Sequence, residues 1–130
     1  MYKMAYQTVS IDNLASTIVQ ELQNYSDEVA EAIKDDVREV AKECVEDIKE
    51  NSPVKSGDYK KGWKSKVTFE NRENIRITVY NSKKPQLAHL LEYGHESNLM
   101  DGRVEGKAHI RPAELKAEKE LTRRVEEAVK

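Results

Sequence analysis

The sequence has little of several features that would define its class at once. Its 130 residues include one cysteine, Cys44, three prolines and one tryptophan. A single cysteine excludes a disulfide within the chain and is typical of a reducing compartment. No apolar run approaches the roughly 20 residues that a membrane span needs, and residues 1–10 lack the apolar core of a signal peptide. We therefore expect a soluble protein made in the cytoplasm, with no membrane contact.

Charged residues are abundant but unevenly distributed. They make up 35% of the chain and leave a formal net charge of −2, so the protein as a whole is no general binder of polyanions. Residues 1–51 hold five bases against twelve acids, residues 52–84 hold nine against three, and residues 85–130 hold eight against nine. An acidic segment followed by a basic one predicts neutralisation within the fold or between neighbouring subunits.

Helical periodicity dominates the first part of the chain. Apolar residues at helical spacing over residues 11–22 predict a short helix of about three turns. Ser26 suits the N-cap of a longer second helix, whose continuous apolar stripe contains Cys44 as a small buried residue. This helix should end near Asn51, because the residue before Pro53 is pushed out of helical space.

A change of period marks the middle of the chain. Apolar and polar residues alternate over residues 63–69 and again over residues 75–80, with a short polar linker between them. This pattern predicts a β-hairpin with one face on a core and the other in water. On this interpretation Trp63 and Phe69 both point inward.

The last third of the chain predicts a helix, a loop and a second helix. Residues 86–93 predict a short helix that ends at Gly94. Residues 94–108 contain three glycines and few apolar side chains, which predicts a long loop. Residues 109–111 should be extended because a proline follows them, and this Pro112 suits the first turn of a last helix.

Together these elements predict an α+β fold, in which a long N-terminal helix and a C-terminal helix pack on a small antiparallel β-sheet. The length predicts a single domain over residues 1–130. Its expected parts are a helical segment over 1–51 and a turn with a β-hairpin over 52–84. The remainder, 85–130, should hold a short helix, a long loop, a short strand and the C-terminal helix.

The histidines and one glutamate are the candidates for a metal site. His89, Glu92 and His95 lie within "HLLEYGH", and His89 and Glu92 share one face of the predicted helix. Zinc needs ligands that converge tetrahedrally, whereas Gly94 should break the helix before His95. We favour the interpretation in which His89 packs or hydrogen-bonds under the loop while Glu92 and His95 fix the turn. A small metal-dependent hydrolase using these three residues is the alternative from another class.

No pattern predicts a nucleophile or a phosphate-binding loop. Cys44 lies on the apolar stripe, and Ser56 lies beside Lys55 and Gly57 in a polar turn, a poor place for a desolvated lysine. The string "SGDYKKG" lacks the spacing of a phosphate loop. We therefore expect no catalytic residue, no cofactor and no metal, and hence a protein that is not an enzyme.

Lysines interleaved with aromatic residues raise the possibility of a nucleic-acid contact. Such residues can grip phosphates and stack on bases, which makes a small DNA-binding module a further hypothesis. Alternation, however, places Lys64 and Lys66 on the strand face opposite Trp63, which favours a core role for Trp63 and a solvated face for the lysines. The candidate partner contacts, non-specific contact with passing DNA included, are Lys55, Lys60, Lys61, Lys64 and Lys66.

Three stretches together resemble a known family. They are "SPVKSGDYKKGW" (52–63), "LAHLLEYGHESN" (87–98) and "HIRPAELKAEKEL" (109–121). Their order and spacing are similar to those of the gene-10-type head–tail joining proteins of long-tailed bacteriophages and prophages, Gram-positive type. The resemblance runs from about Ile11 to the C-terminus; Ser56 replaces the usual threonine, and either hydroxyl can hydrogen-bond a turn. The residues that carry the motifs are Pro53, Ser56, Gly57, Tyr59, Gly62, Trp63, His89, Leu90, Glu92, Gly94, His95, His109, Pro112 and Ala113.

The resemblance implies a structural virion protein without enzymatic activity. Proteins of this kind occupy the neck or tail-completion position, as oligomeric rings between the head connector and the tail tube. It implies partners among copies of the same chain, in a hexamer or dodecamer, and among the phage connector and tail proteins. The implied location is the head–tail junction of the virion, reached from the bacterial host cytoplasm. A tail-terminator role within the same structure is the alternative.

Overall fold

A four-stranded antiparallel sheet and two long helices form most of the structure, a computed structural model that describes residues 6–9, 14–53, 57–96 and 102–129. The predicted α+β fold class is confirmed. Among the described helices, none has the length and apolar character of a membrane-crossing segment. The elements are β1 (Tyr6–Val9), β2 (Leu14–Glu21), α1 (Asp27–Asn51), α2 (Gly57–Lys61), β3 (Trp63–Glu70), β4 (Asn74–Asn81), α3 (Pro85–Tyr93), β5 (Gly94–Glu96), β6 (Arg103–Glu105) and α4 (Arg111–Ala128).

The sheet has the strand order β1-β2-β4-β3, and every neighbouring pair is antiparallel. The predicted hairpin is present as β3 and β4. On the inner face of the sheet lies α1, which contacts β2, β3 and β4, while α4 packs along α1. The core therefore lies between the sheet and α1 and continues between the two long helices.

The helix predicted over residues 11–22 is wrong: residues 14–21 form strand β2, at the centre of the sheet between β1 and β4. Residues 11–13 lie outside the described residues. Side chains four positions apart share a face in a strand as well as in a helix, so Ile18 and Leu22 are fully buried on either interpretation. The β-branched run over residues 17–19 favours the strand, since such side chains fit a pleated surface better than a helix.

The long helix α1 has the predicted boundaries. Its N-cap is Ser26, whose side chain accepts a hydrogen bond from Val29 N at 3.3 Å, and its last residue is Asn51. Cys44 is buried in the stripe, as predicted, and burial together with the charges of Glu114 and Asp47 raises the pKa of its thiol to about 12. This cysteine is therefore an inert core residue.

A β-bulge changes the register of β3 between Val67 and Phe69. The inward orientation predicted for Phe69 is wrong, because the extra residue places it opposite Arg76 on the outer face, with the guanidinium 5.7 Å from the ring centroid. Glu70 is consequently opposite Ile75, on the inner face that packs against α1.

The inward position of Glu70 creates an ion-pair group with α1. Its carboxylate lies 3.2 Å from Lys34 Nζ and 2.8 Å from Arg38 Nη2. Burial acts to raise the pKa of Glu70, but the hydrogen bonds from Lys34 and Arg38 outweigh it and hold the pKa below its ordinary value. The mostly buried Lys34 thus has the partner that its desolvation requires.

The long loop predicted over residues 94–108 contains regular structure. Strands β5 and β6 pair as an antiparallel ribbon, with Gly94 opposite Glu105. The next residue, Gly106, lies so close to the end of α3 that a Cβ there would be 2.4 Å from Gly94 N and 2.7 Å from Glu92 O. Only glycine permits this approach of two backbone segments, a constraint that the glycine-rich composition alone does not reveal.

Candidate functional site

The three sequence motifs meet in one buried cluster. It consists of Tyr59 from α2, Trp63 from β3, Glu92 from α3 and His109 from the residues before α4, and we call it the motif cluster. Tyr59 and His109 are each 1% exposed, and Trp63 is fully buried. Segments separated by up to 50 residues in the sequence are therefore joined at one point.

Glu92 caps the last helix from another element. Its Oε1 accepts hydrogen bonds from His109 N and Ile110 N, both at 2.8 Å, and its Oε2 accepts one from Arg111 N at 2.9 Å. The N-terminal N–H groups of a helix have no partner within the helix and carry its positive partial charge. A buried carboxylate is a strong acceptor for them.

This contact explains why residues 109–111 are not extended as predicted. Ile110 has a helical backbone with φ −89° and ψ −52°, and α4 begins at Arg111. Pro112 lies in the first turn, as predicted. The preference for an extended residue before proline is offset here by the carboxylate of Glu92, which draws successive N–H groups together.

The hydrogen bonds also determine the charge of Glu92. Burial acts to raise the pKa of its carboxyl, but the His109 side chain and the backbone N–H groups of residues 109–111 outweigh this effect and lower the pKa to about 2. The side chain is only 3% exposed, so Glu92 is a buried, ionised group at neutral pH. Its stabilising effect depends on that charge.

His109 connects Glu92 to Tyr59. Its Nδ1 lies 2.7 Å from Lys107 O and 3.1 Å from Glu92 Oε1, and its Nε2 lies 2.7 Å from Tyr59 Oη. Both neighbours of Nδ1 can only accept, so Nδ1 carries the proton and, in the neutral ring, Tyr59 donates to Nε2. Burial and the charge of Glu92 raise the pKa of Tyr59, with the indole of Trp63 acting in the opposite sense. Tyr59 is thus protonated at neutral pH.

Trp63 packs edge-on against both rings, with centroid separations of 5.7 Å to Tyr59 and 6.5 Å to His109. The prediction that Trp63 is the first inward residue of the strand is confirmed. Gly62 precedes it, where a Cβ would lie 2.4 Å from Asn81 Oδ1 and 3.0 Å from Asp58 O. The edge-on contacts of Trp63 with Tyr59 and His109 stabilise the fold by more than the buried apolar area alone would.

Asn81 is a buried residue of the cluster that the sequence interpretation missed. Its Nδ2 donates to Tyr59 O at 2.7 Å, and its Oδ1 accepts from Lys83 N at 3.1 Å and Lys84 N at 2.8 Å. An asparagine that accepts from N–H groups two and three residues ahead is a recognised turn former. The string "NSKKP" carried that signal, although not the contact with Tyr59.

The chemistry available to the motif cluster is limited by its enclosure. Tyr59 is protonated, Glu92 already accepts hydrogen bonds at both oxygens, and His109 has partners at both ring nitrogens. None of these groups is exposed enough to meet a substrate. The cluster can fasten α2, α3 and α4 to the sheet, and this is the role that its geometry supports.

The candidate metal ligands do not converge in the described residues. His89 is exposed on α3, with its ring 4.9 Å from that of Tyr93, whereas Glu92 is buried in the motif cluster. His89 and Glu92 are three positions apart on one helix, but only Glu92 is turned into the core, so the expectation that His89 packs or hydrogen-bonds under the loop is wrong. Of His95 the structure describes only the backbone, in β5. Across the described ranges no group of three or more metal-ligating side chains occurs.

The remaining motif residues are helix boundaries and packing positions. Pro53 follows the end of α1, and Gly94 ends α3 with φ +84°, as predicted for both. Gly57 begins the short helix α2, where only a turn was expected. Ala113 is buried and Leu90 is 38% exposed. Lys55 and Ser56 lie outside the described residues.

The predicted lysine face is present and is larger than the sequence indicated. Lys60 and Lys61 are exposed on α2, and Lys64 and Lys66 are exposed on the outer face of β3. The backbone N–H and the hydroxyl of Ser82 donate hydrogen bonds to the carbonyl oxygen of Gly62, at 2.7 and 3.0 Å. These bonds bring the two residues after Ser82 to the same end of the hairpin as the other lysines. Those two residues are Lys83 and Lys84.

Comparison with protein families gives the class of the protein: a bacteriophage tail component. Residues 16–94, more than half of the chain, match the family model described as "Bacteriophage HK97-gp10, putative tail-component". The chain belongs to this HK97-gp10-like family, which confirms the resemblance seen in the sequence. The match covers the first motif and most of the second, while residues 109–121 lie beyond it. No curated protein and no solved structure matches the chain significantly.

Proposed function

We propose that this phage tail component acts at the head–tail junction, as an oligomeric ring between the head connector and the tail tube. It is a structural part of the virion and not an enzyme. The observation that carries the proposal is the family match over residues 16–94. In the virion its partners are copies of itself and the connector and tail proteins on either side.

The geometry of the motif cluster supports a structural role. Three residues of the sequence motifs hold the helices together through hydrogen bonds and are buried: Tyr59, Glu92 and His109. A reactive site of the kind considered for His89 and Glu92 would need these side chains to face a common space. Their separation favours assembly over hydrolysis as the function.

The charge distribution supports a closed assembly of identical subunits. Opposite charges occupy different faces of one chain, so like copies attract when they meet head to tail. An interface of this heterologous kind generates a ring if the rotation closes. A hexamer or a dodecamer is the stoichiometry that we propose for the virion.

The proposal is tested by deleting the gene in the encoding phage or prophage and examining the induced particles by electron microscopy. We expect filled heads and separate tails, with no infectious particles, and restoration by a plasmid copy of the gene. A control copy with the exposed Glu118→Gln substitution should restore joining equally well. Joined, infectious particles in the deletion strain would contradict the proposal.

The same experiment separates the alternative of a tail terminator. A protein that stops tail growth would leave tails of abnormal length when it is absent, whereas a joining protein would leave free tails of normal length. The distribution of tail lengths in the deletion strain therefore assigns the role.

A further inference from the structure

We propose that the lysine-rich end of the β3–β4 hairpin is the docking surface for the acidic face of α1 on a second copy of this chain. The inference rests on the proposed function in one respect, the self-assembly of the protein. It goes further in naming the two surfaces that meet. The surfaces are called here the basic surface and the acidic face.

The basic surface is an uncompensated group of positive charges. Within the described part of the chain, none of its six lysines forms an ion pair, and Asp58 is the one acid among residues 57–67. Lys66 instead lies over the ring of Tyr80, with Nζ 5.3 Å from the centroid. The members of the basic surface are Lys60, Lys61, Lys64, Lys66, Lys83 and Lys84.

The acidic face follows α1 along its solvent side. Its members recur at helical spacing opposite the buried stripe, and Lys42 is a base among them. In the described structure Glu28, Glu31 and Glu50 form no ion pair, and Glu46 has only a 3.9 Å contact with a neighbouring lysine. The other two members are paired within the chain, Asp35 with Arg38 at 3.0 Å and Glu39 with Arg124 at 2.7 Å. With a rise of 1.5 Å per residue, the face is roughly 33 Å long. Its members are Glu28, Glu31, Asp35, Glu39, Glu46 and Glu50.

The fold keeps these two surfaces apart within one copy. Alternation along β3 directs Lys64 and Lys66 away from the inner face of the sheet, which packs against α1. The buried stripe of α1 faces the sheet, so the acidic face points in the opposite direction. One chain cannot neutralise its own basic surface with its own acidic face, whereas two copies in head-to-tail contact can.

A second copy is favoured over DNA as the occupant because the chain itself carries the complementary surface. Six lysines without ion pairs face four carboxylates that have at most a long contact within the chain, and bringing the two surfaces together removes like-charge repulsion on both sides. DNA would neutralise the lysines but leave the acidic face exposed, and the net charge of −2 would oppose its approach. DNA binding by the basic surface is therefore an outcome for the test to decide.

The test is a charge swap in the full-length protein. One variant carries Lys60→Glu with Lys64→Glu, and a second carries Glu31→Lys with Glu46→Lys. The size of the assemblies is measured by sedimentation velocity at low and high salt. Each variant alone should associate at least about tenfold more weakly than wild type, because like charges then face each other. High salt should weaken wild-type association in the same direction.

Mixing the two variants is the decisive step. In an equimolar mixture each contact between one variant and the other joins opposite charges again, so copies that alternate should associate to within about threefold of wild type. A control with Lys107→Glu and Lys119→Glu, which has the same charge change at exposed sites outside the basic surface, should associate like wild type. Circular dichroism of each variant verifies that the fold is retained.

Three results would overturn the inference. One is a wild-type chain that stays monomeric at high concentration and low salt. Another is association that the reversals leave unchanged or that mixing does not restore. The third is loss of binding to a DNA duplex by the lysine variant with unchanged self-association, which would assign the basic surface to DNA. If the deletion strain lacks joined particles while mixing fails, the assignment of the surfaces is wrong and the proposed function stands.

Discussion

The buried carboxylate of Glu92 gives the sharpest prediction about this fold. Replacing it by glutamine keeps the shape of the side chain but removes the charge and turns one acceptor into a donor. At least one of the N–H groups of residues 109–111 then loses its acceptor. A pKa lowered from 4.5 to about 2 corresponds to about 3 kcal/mol of stability at neutral pH. The side chain of Glu92 is only 3% exposed, so solvent screens this contribution little.

The pH dependence of the effect has a defined sign. Because the pKa of Glu92 is lower in the folded state than in the unfolded chain, its contribution is complete above about pH 5 and is lost as the pH falls toward 2. The difference in unfolding free energy between wild type and Glu92→Gln should therefore be largest at neutral pH. It should shrink steadily on acidification.

The assay is urea unfolding followed by the fluorescence of Trp63, the only tryptophan and a member of the motif cluster. Measurements at several pH values between neutral and acidic give both the size and the sign of the effect. Glu118→Gln, at an exposed position of α4 whose side chain makes no ion pair within the described residues, is the matched control and should cost little at any pH. A loss below about 1 kcal/mol at neutral pH, or one that does not shrink in acid, would refute the reasoning.

Three further predictions concern single residues. Tyr59→Phe removes the donor to His109 Nε2 and should cost about 1–2 kcal/mol in urea unfolding; an unchanged midpoint would contradict a stabilising hydrogen bond between Tyr59 and His109. Gly106→Ala should destabilise by about 2 kcal/mol or more, because its Cβ would lie 2.4 Å from Gly94 N; the same unfolding experiment measures it, and a neutral result would show that the ribbon can move aside. The Cys44 thiol should react with a thiol reagent only after urea is added, since its pKa is about 12 and it is buried; rapid labelling of the folded protein would contradict this.

Much of the fold follows from local sequence signals. The boundaries of α1 were predictable because a serine N-cap and a following proline are short-range features, and the hairpin was predictable because its period of two is clear over both strands. The end of α3 at Gly94 belongs to the same group. Each of these depends on residues that are neighbours in the sequence.

The errors arise where tertiary contacts decide between local alternatives. Residues 14–21 carry a spacing that fits helix and strand alike, and pairing with two neighbouring strands selects the strand. The bulge that turns Phe69 outward could not be predicted, because the residue types around it continue to alternate between apolar and polar. The helical start of α4 depends on Glu92, which lies 19 residues from Arg111 in the sequence.

The candidate site was predictable as a set of residues but not as an arrangement. The motif residues Tyr59, Glu92 and His109 were all identified from the sequence, yet nothing in their spacing showed that they touch. Lys83 and Lys84 lie outside the set of lysines predicted as contacts, because it is the bond from Ser82 to Gly62, just before β3, that brings them to the basic surface.

The most direct test of the central claim is the position of this protein on the virion. Antibodies against the purified chain are applied to virions, which are then imaged by electron microscopy. A junctional ring predicts label concentrated where the head meets the tail, with none along the tail tube. Label spread along the tube, confined to the far tip, or absent from virions would contradict the account.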